Sequence, residues 1–319
     1  MVGNCTNPEC PAPISCHEGN EVSTCEFWTE SKKSKTTNTL KKATESVKSN
    51  ISWTGEALLP QQLETVGQRN RLIVIGIVGK ANAGKTSFLA MIYTLLYHGH
   101  NLSEYDFSGS KTLVGWDKLH HKLKVIKSKV AYPDPTLPLY LRLLHLALRA
   151  KNQKLTDVVI SDASGEVFST WSQKRLDPLA ENARWVHDNS NAFIFFIDCE
   201  DLATRKNLAK TEVIDIAQML SNELKGRPVI CVWSKADLKD TIHTVVQESL
   251  KKELETIFSD YVELNVSNLS IDDPDELVHV NNIKVIDLLL TKVFSDGLLI
   301  DTVNVSDPND YFLNYQANG

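Results

Sequence analysis

The chain has 319 residues, 42% of them hydrophobic, with a formal net charge of -6, a pI near 5.9 and a mean hydropathy of -0.21. That length suffices for one large α/β core with small appendages, and the acidic balance excludes a general electrostatic attraction to nucleic acid. The longest apolar runs, such as residues 192–197, fall far short of the ~20 residues of a membrane span, and the first residues carry no apolar signal region; the expectation is a cytoplasmic protein with no membrane contact.

Residues 1–28 hold four of the six cysteines, Cys5, Cys10, Cys16 and Cys25, separated by four, five and eight residues. In a reducing compartment such a cluster suits Zn²⁺ held by four thiolates in a small zinc-ribbon-like appendage. The alternative is a tail of free thiols, because no gap is the two-residue knuckle of common zinc sites. His17 is a substitute ligand. Residues 29–50 are rich in Lys, Ser and Thr and read as a solvated polar linker. Apolar residues return over 51–70 with Trp53, Leu58, Leu59 and Leu63, a lead-in that packs on a main domain spanning 71–296. Residues 297–319 form a C-terminal extension.

The main domain opens with the unbroken apolar run 72–78, which feeds Gly79-Lys80-Ala81-Asn82-Ala83-Gly84-Lys85-Thr86 and then an apolar helical segment beginning at Ser87. Strand, GxxxxGK[ST], helix is the context a phosphate loop requires. Gly79 and Gly84 permit the tight turn, and the backbone from Asn82 through Ala83 to Ser87 aims N–H groups at phosphate oxygens. Lys85 supplies a point charge to the β- and γ-phosphates, and the Thr86 hydroxyl is a Mg²⁺ ligand. The pattern predicts binding of a nucleoside triphosphate.

Beyond the loop, residues 98–138 read as a loop-rich insertion. Residues 139–148 and 155–161 read as an antiparallel hairpin. Strands are predicted at 193–199, 228–233 and 261–266, and helices around 173–187, 208–224, 245–258 and 283–293. The alternation predicts a P-loop α/β fold, with a mostly parallel doubly wound sheet and one antiparallel hairpin strand. Cys199 and Cys231 read as core thiols at strand ends, His145 as half-buried in the hairpin, and His98, His100, His120 and His121 as surface residues.

A second phosphate-proximal element is Ser161-Asp162-Ala163-Ser164-Gly165-Glu166 at a strand end. Asp162 there suits Mg²⁺ through water, and the Gly165 N–H suits a γ-phosphate. A third element is Ser234-Lys235-Ala236-Asp237. A carboxylate at Asp237 would accept both guanine N1–H and N2–H₂, a donor pair that adenine lacks, while the Lys235 stem covers the base face. If Asp237 does not reach the base, the chain reads as an ATPase.

In this order the motifs resemble the translation-factor-related class of small GTPases, whose base motif is NKxD; here Ser234 replaces the Asn, and residues 266–268 stand where that class places a base-contacting loop with Ser267. Over nearly the whole chain the sequence is similar to the bacterial double-GTPase family found beside effector-like genes in conflict systems. The resemblance runs through CTNPEC and CHEG, Trp53-Thr54-Gly55, GKANAGKTSFLA, GSKTLVGW, LLHLALR and SDASGEVF. It implies a GTPase acting as a Mg-GTP-dependent switch on a protein partner, an effector or a second GTPase-like protein, in an anti-phage or conflict system. It also makes Thr112 the switch threonine on Mg²⁺ and the γ-phosphate, with Ser110 and Ser108 as competitors.

Glu166 takes the place of a water-orienting Gln, and a carboxylate beside the γ-phosphate predicts slow unaided hydrolysis. Asn82 stands where cation-activated relatives use an amide for K⁺; the alternative is that Asn only tolerates the loop's backbone geometry. A GTP-binding scaffold with little turnover is the rival to a GTPase.

Overall fold

A computed structural model describes residues 3–5, 28–30, 55–68, 72–122, 125–126, 129–130, 140–268 and 275–295. The chain divides into two units, Met1–Ser52 and Trp53–Gly319. In the first, β1 (Gly3–Cys5) and β2 (Trp28–Glu30) pair antiparallel. Cys10, Cys16 and Cys25 lie outside the described residues, and so does the side chain of Cys5, so the zinc expectation falls there too.

The second unit carries the elements β3 (Leu72–Val78), α1 (Lys85–Tyr97), β4 (Tyr105–Gly109), α2 (Leu113–Lys122), the short antiparallel pair β5 (Val125–Ile126) and β6 (Lys129–Val130), β7 (Leu141–Ala150) and β8 (Leu155–Ala163). They continue as α3 (Gly165–Gln173), α4 (Glu181–Asn189), β9 (Ala192–Asp198), α5 (Cys199–Arg205), α6 (Asn207–Ser221), β10 (Val229–Ser234), α7 (Thr244–Ile257), β11 (Glu263–Asn265) and α8 (Asn281–Ser295). Seven strands form one sheet in the order β11-β10-β9-β3-β8-β7-β4. The pairings are parallel from β11 to β8, and β7 runs antiparallel to both β8 and β4.

Alternation along the strands builds a core on each face. Phe193, Phe195 and Ile197 of β9 and Val229, Cys231 and Trp233 of β10 pack with α3, α4, α6 and α7. Ile194 and Phe196, with Ile73, Ile75 and Ile77 of β3, pack with α1, α2 and α8 on the other side. Phe88 of α1 meets Phe196 edge-on at 5.3 Å between ring centres. From β3 the chain proceeds to β8 on one side and then returns to β9 on the other, so the crevice outside the C-terminal ends of these strands is the topological switch point where α/β sheets take ligands.

Several sequence expectations change. The insertion 98–138 contains a sheet strand, β4, and a helix, α2. The predicted helix around 173–187 is instead two, α3 and α4, because Asp177-Pro178 opens a 3-10 turn between them. Cys199 starts α5 rather than ending a strand, since the Asp198 carboxylate caps that helix by accepting from the Glu200 and Asp201 amides at 3.0 and 3.4 Å. His145 is fully buried, not half-buried. His120 is partly buried and shares a hydrogen bond of 2.8 Å with Thr94 Oγ1.

Candidate functional site at the strand ends

The turn after β3 is closed by residues in left-handed backbone, Asn82 at φ 64° and Gly84 at φ 79°. Gly84 sits immediately before α1 and so launches the helix from a conformation glycine adopts freely. Asn tolerates the same region better than most residues, a backbone geometry that suits Asn82 whether or not its amide also meets a cation. Lys85 is buried, and its Nζ donates to the carbonyls of Gly79 at 2.9 Å and Lys80 at 2.6 Å. Burial lowers its pKa to about 8, partly offset by the charges of Asp162 and Asp198.

Asp162 arrives at the end of β8 with its side chain fully buried. Its Oδ1 accepts from Thr86 Oγ1 at 2.9 Å, and its Oδ2 accepts from Arg142 at 2.5 Å. Hydroxyl and carboxylate together are the oxygen donors a hard cation such as Mg²⁺ takes, so Thr86 and Asp162 fit that ion. Three residues on, Gly165 opens α3 in direct apposition to the phosphate loop. A Cβ there would stand 2.0 Å from Ala81 N and 2.1 Å from the Lys80 carbonyl carbon. No side chain fits, and the helix N-terminus is thereby fixed against the loop. Ser164 caps it weakly, accepting from the Glu166 amide at 3.4 Å, and the Glu166 side chain is exposed.

The third element lies after β10. Ser234 is buried and donates to the Ile197 carbonyl at 3.1 Å. Lys235, at φ 52°, reaches Asp198 and Glu200, both at 2.8 Å. Burial opposes its charge, but these two carboxylates outweigh burial and raise its pKa. Ser267 donates to Asp237 Oδ1 at 2.8 Å, and the Ala236 amide bonds the Val266 carbonyl at 3.0 Å, so the loop after β11 orients the carboxylate. An ideal Cβ on Gly84 would lie 3.8 Å from both Ser234 Cβ and Asn268 Nδ2, which brings this loop to the start of α1.

Thr112 is not brought to this group. It is fully buried before α2, where its Oγ1 accepts from the His145 amide at 2.8 Å. His145 lies three positions along β7 from Arg142, the residue opposite Asp162. The same histidine accepts the Lys111 amide on Nδ1 at 2.9 Å, which fixes its proton on Nε2, 2.9 Å from the buried Asp157. Ser110 donates to the His145 carbonyl at 2.5 Å, and Ser108 lies 3.4 Å from Arg149. The segment 110–112 is thus tied to β7 and is not assembled with Thr86 and Asp162.

Sequence reasoning missed three contributors. Arg142 was signalled only by a lone charge in the apolar run LYLRLLHL, and Asp198 only as a helix cap. The third is an ion-pair cluster in which Lys80 and Arg205 share Asp201 and Glu212. It lines a cavity of about 480 Å³ between the phosphate loop, α3 and the α5–α6 pair. Among the described residues no group of three or more His, Cys, Asp or Glu is arranged to hold a metal, and no helix is long and apolar enough to cross a membrane. Cys199 and Cys231 are buried free thiols; burial pushes Cys199 up to about 12 and Cys231 higher, so neither is reactive at neutral pH.

A model of the family described as Double-GTPase 2 matches residues 73–293, about two thirds of the chain. No curated protein matches. Among solved structures, the chain is similar to a putative nucleolar GTP-binding protein 1 from Plasmodium falciparum at 13% identity and a TM-score of 0.41, over 70% of this chain and 87% of that one.

Proposed function

The chain belongs to the Double-GTPase 2 family, and from that premise we propose that it binds GTP on residues 79–86 and hydrolyses it slowly to GDP and phosphate. One observation carries the reading: the phosphate loop, Asp162 with Gly165, and Asp237 with Ser267 meet along one rim at the ends of β3, β8, β10 and β11.

In this reading the phosphates lie on the loop amides with Lys85 as counter-charge, its third ammonium N–H remaining for a phosphate oxygen beside the two loop carbonyls it holds. Thr86 and Asp162 would hold Mg²⁺, which when bound offsets the charge of the phosphates. Asp237, oriented by Ser267, takes the guanine N1–H and N2–H₂. Gly165 would present its N–H to the γ-phosphate, so gain or loss of that phosphate changes how α3 sits on the loop.

Nucleotide-dependent movement of α3 and of the segment before α2 would carry the signal to a protein partner, an effector or a second GTPase-like protein. The setting we propose is a bacterial anti-phage or conflict system, supported by the similarity of the motifs to that branch. A second reading, a GTP-binding scaffold with little turnover, is favoured by the exposed Glu166 at the first turn of α3. Single-turnover hydrolysis separates the two.

The test is equilibrium binding of fluorescent GTP and ATP with Mg²⁺, in the wild type and in Asp237→Ala. Preference for GTP that collapses in the variant supports the reading. Equal binding, or preference for ATP, overturns it in favour of an ATPase.

A further inference from the structure

The carboxylate best placed for a divalent cation already has a cation of its own. Arg142 and Asp162 are directly opposite each other in the antiparallel β7–β8 pair, so the backbone register, not a chance rotamer, puts both side chains on one face of the sheet. The Arg142 guanidinium meets Asp162 Oδ2 at 2.5 Å, and Thr86 occupies Oδ1. Asp162 is fully buried while Arg142 is 29% exposed, so the arginine is the partner with room to leave. Its grip is also incomplete, because Arg142 Nε is buried with no hydrogen-bond partner among the described residues. Lys85 adds a further positive charge nearby, attracted to the same carboxylate.

Resting on the GTP-binding reading of this rim, we propose that Arg142 is an internal competitor of the divalent cation for Asp162. With Thr86 on Oδ1 and Arg142 on Oδ2, a divalent cation taken by Thr86 and Asp162 would stand close to the guanidinium, and the mutual repulsion offsets what each gains from the shared carboxylate. Cation binding therefore displaces Arg142, and the freed guanidinium, with its unspent Nε donor, is left beside the phosphate loop. Arg142 is a positioning residue in this scheme. It sets how much divalent cation the protein needs, and so makes nucleotide retention depend on cation concentration.

The direction of the effect separates this role from a structural one. Damage to the site weakens metal binding, whereas removing a competitor strengthens it. Mn²⁺ binding is followed by electron paramagnetic resonance in the wild type, Arg142→Gln and Arg142→Lys, each without nucleotide and with GDP. The Gln variant is expected to half-saturate at about tenfold lower Mn²⁺, the scale of one charge-assisted hydrogen bond. Lys keeps the charge and should stay near the wild type. Unchanged or weaker Mn²⁺ binding in Arg142→Gln, with Arg142→Lys folded and equally unchanged, overturns the proposal. Failure of every form to bind GDP would overturn the guanine reading instead, and the nucleotide-free arm would still decide the role of Arg142.

Discussion

Gly165→Ala sets two effects of opposite sign against each other. Gly165 opens α3 with a φ outside the left-handed region, so its backbone suits any residue. On helix propensity alone, alanine would stabilise α3 by up to ~1 kcal/mol. The added methyl, however, would meet Ala81 N at 2.0 Å, the Lys80 carbonyl carbon at 2.1 Å and its oxygen at 2.3 Å. All three are backbone atoms, with no rotamer to yield, and about 1.4 Å of separation must open before the nearest reaches the ordinary contact distance of 3.4 Å. Crowding of this kind costs ~1–3 kcal/mol, and backbone overlap puts it at the upper end. The expected net loss is about 2 kcal/mol, a fall in Tm of about 4–8 °C for a domain of this size. Because α3 must lift from the phosphate loop, GTP affinity should fall more than GDP affinity. Thermal and urea unfolding of the nucleotide-free protein, with binding of both nucleotides, make the test. A Tm equal to or above the wild type, with an unchanged GTP to GDP ratio, would refute the steric argument.

Three further outcomes follow from the charges and the buried network. Lys85 in the free protein has its pKa lowered to about 8 by burial, and a bound phosphate anion favours its charged form; binding therefore takes up a proton above pH 8. Fluorescent GDP affinity should fall by up to tenfold between pH 8 and 9, and a flat profile contradicts the assignment. Asp201 and Glu212 are both lowered to about 2, first by hydrogen bonds from Arg205, against some desolvation, and then by Lys80. Their folded pKa values lie below the ordinary 3.8 and 4.5, so they add stability above about pH 4.5 that is lost as pH falls toward 2. Arg205→Ala should flatten that acid loss in urea titrations across the range; the side chains are 22% and 32% exposed, which limits the effect at neutral pH to ~1 kcal/mol. Asp157→Ala removes the buried partner of His145 Nε2 and should cost ~1–3 kcal/mol. It should also speed hydrogen exchange at the Lys111 amide, and exchange as slow as in the wild type would show that the histidine does not hold the segment 110–112.

What the sequence disclosed was what is local. The run from β3 through the phosphate loop to α1 carries its own apolar pattern and turn glycines, the strands β8, β9 and β10 are dense in β-branched and aromatic residues, and β7 is a leucine-rich apolar run. Strand β4 escaped because its five residues YDFSG offer only Tyr105 and Phe107 among polar neighbours and glycine; it is exposed at its three central residues and is held in the sheet by pairing with β7. The long-range parts of the site were hidden for a related reason. Arg142 meets Asp162 through a strand register that spacing alone does not reveal, and Lys80 meets Asp201 and Glu212 across more than a hundred residues. Thr112 has the residue type and position in the chain of a magnesium ligand, yet its hydroxyl is committed to the His145 backbone.

The departure at Ser234 has a geometric answer in the same rim. A serine cannot reach the contacts an Asn amide makes there, and its hydroxyl is already engaged with the Ile197 carbonyl. Asn268 places an amide nitrogen at the same 3.8 Å from an ideal Gly84 Cβ as Ser234 Cβ, and its Oδ1 is buried with no hydrogen-bond partner among the described residues. On the GTP-binding reading, this amide would stand in from the neighbouring loop for the one the strand end lacks. Ser234→Ala then removes one hydrogen bond inside the sheet, worth ~1 kcal/mol of stability, with little change in nucleotide affinity. Asn268→Ala should do the reverse, leaving stability nearly unchanged and weakening GDP binding about tenfold. If the two positions serve one role, Ser234→Asn in the Asn268→Ala background should recover most of that loss. An Asn268→Ala variant with full affinity, or a double variant no better than the single one, would mean that the rim works without a bridging amide and that Asp237 and the loop backbone hold the nucleotide alone.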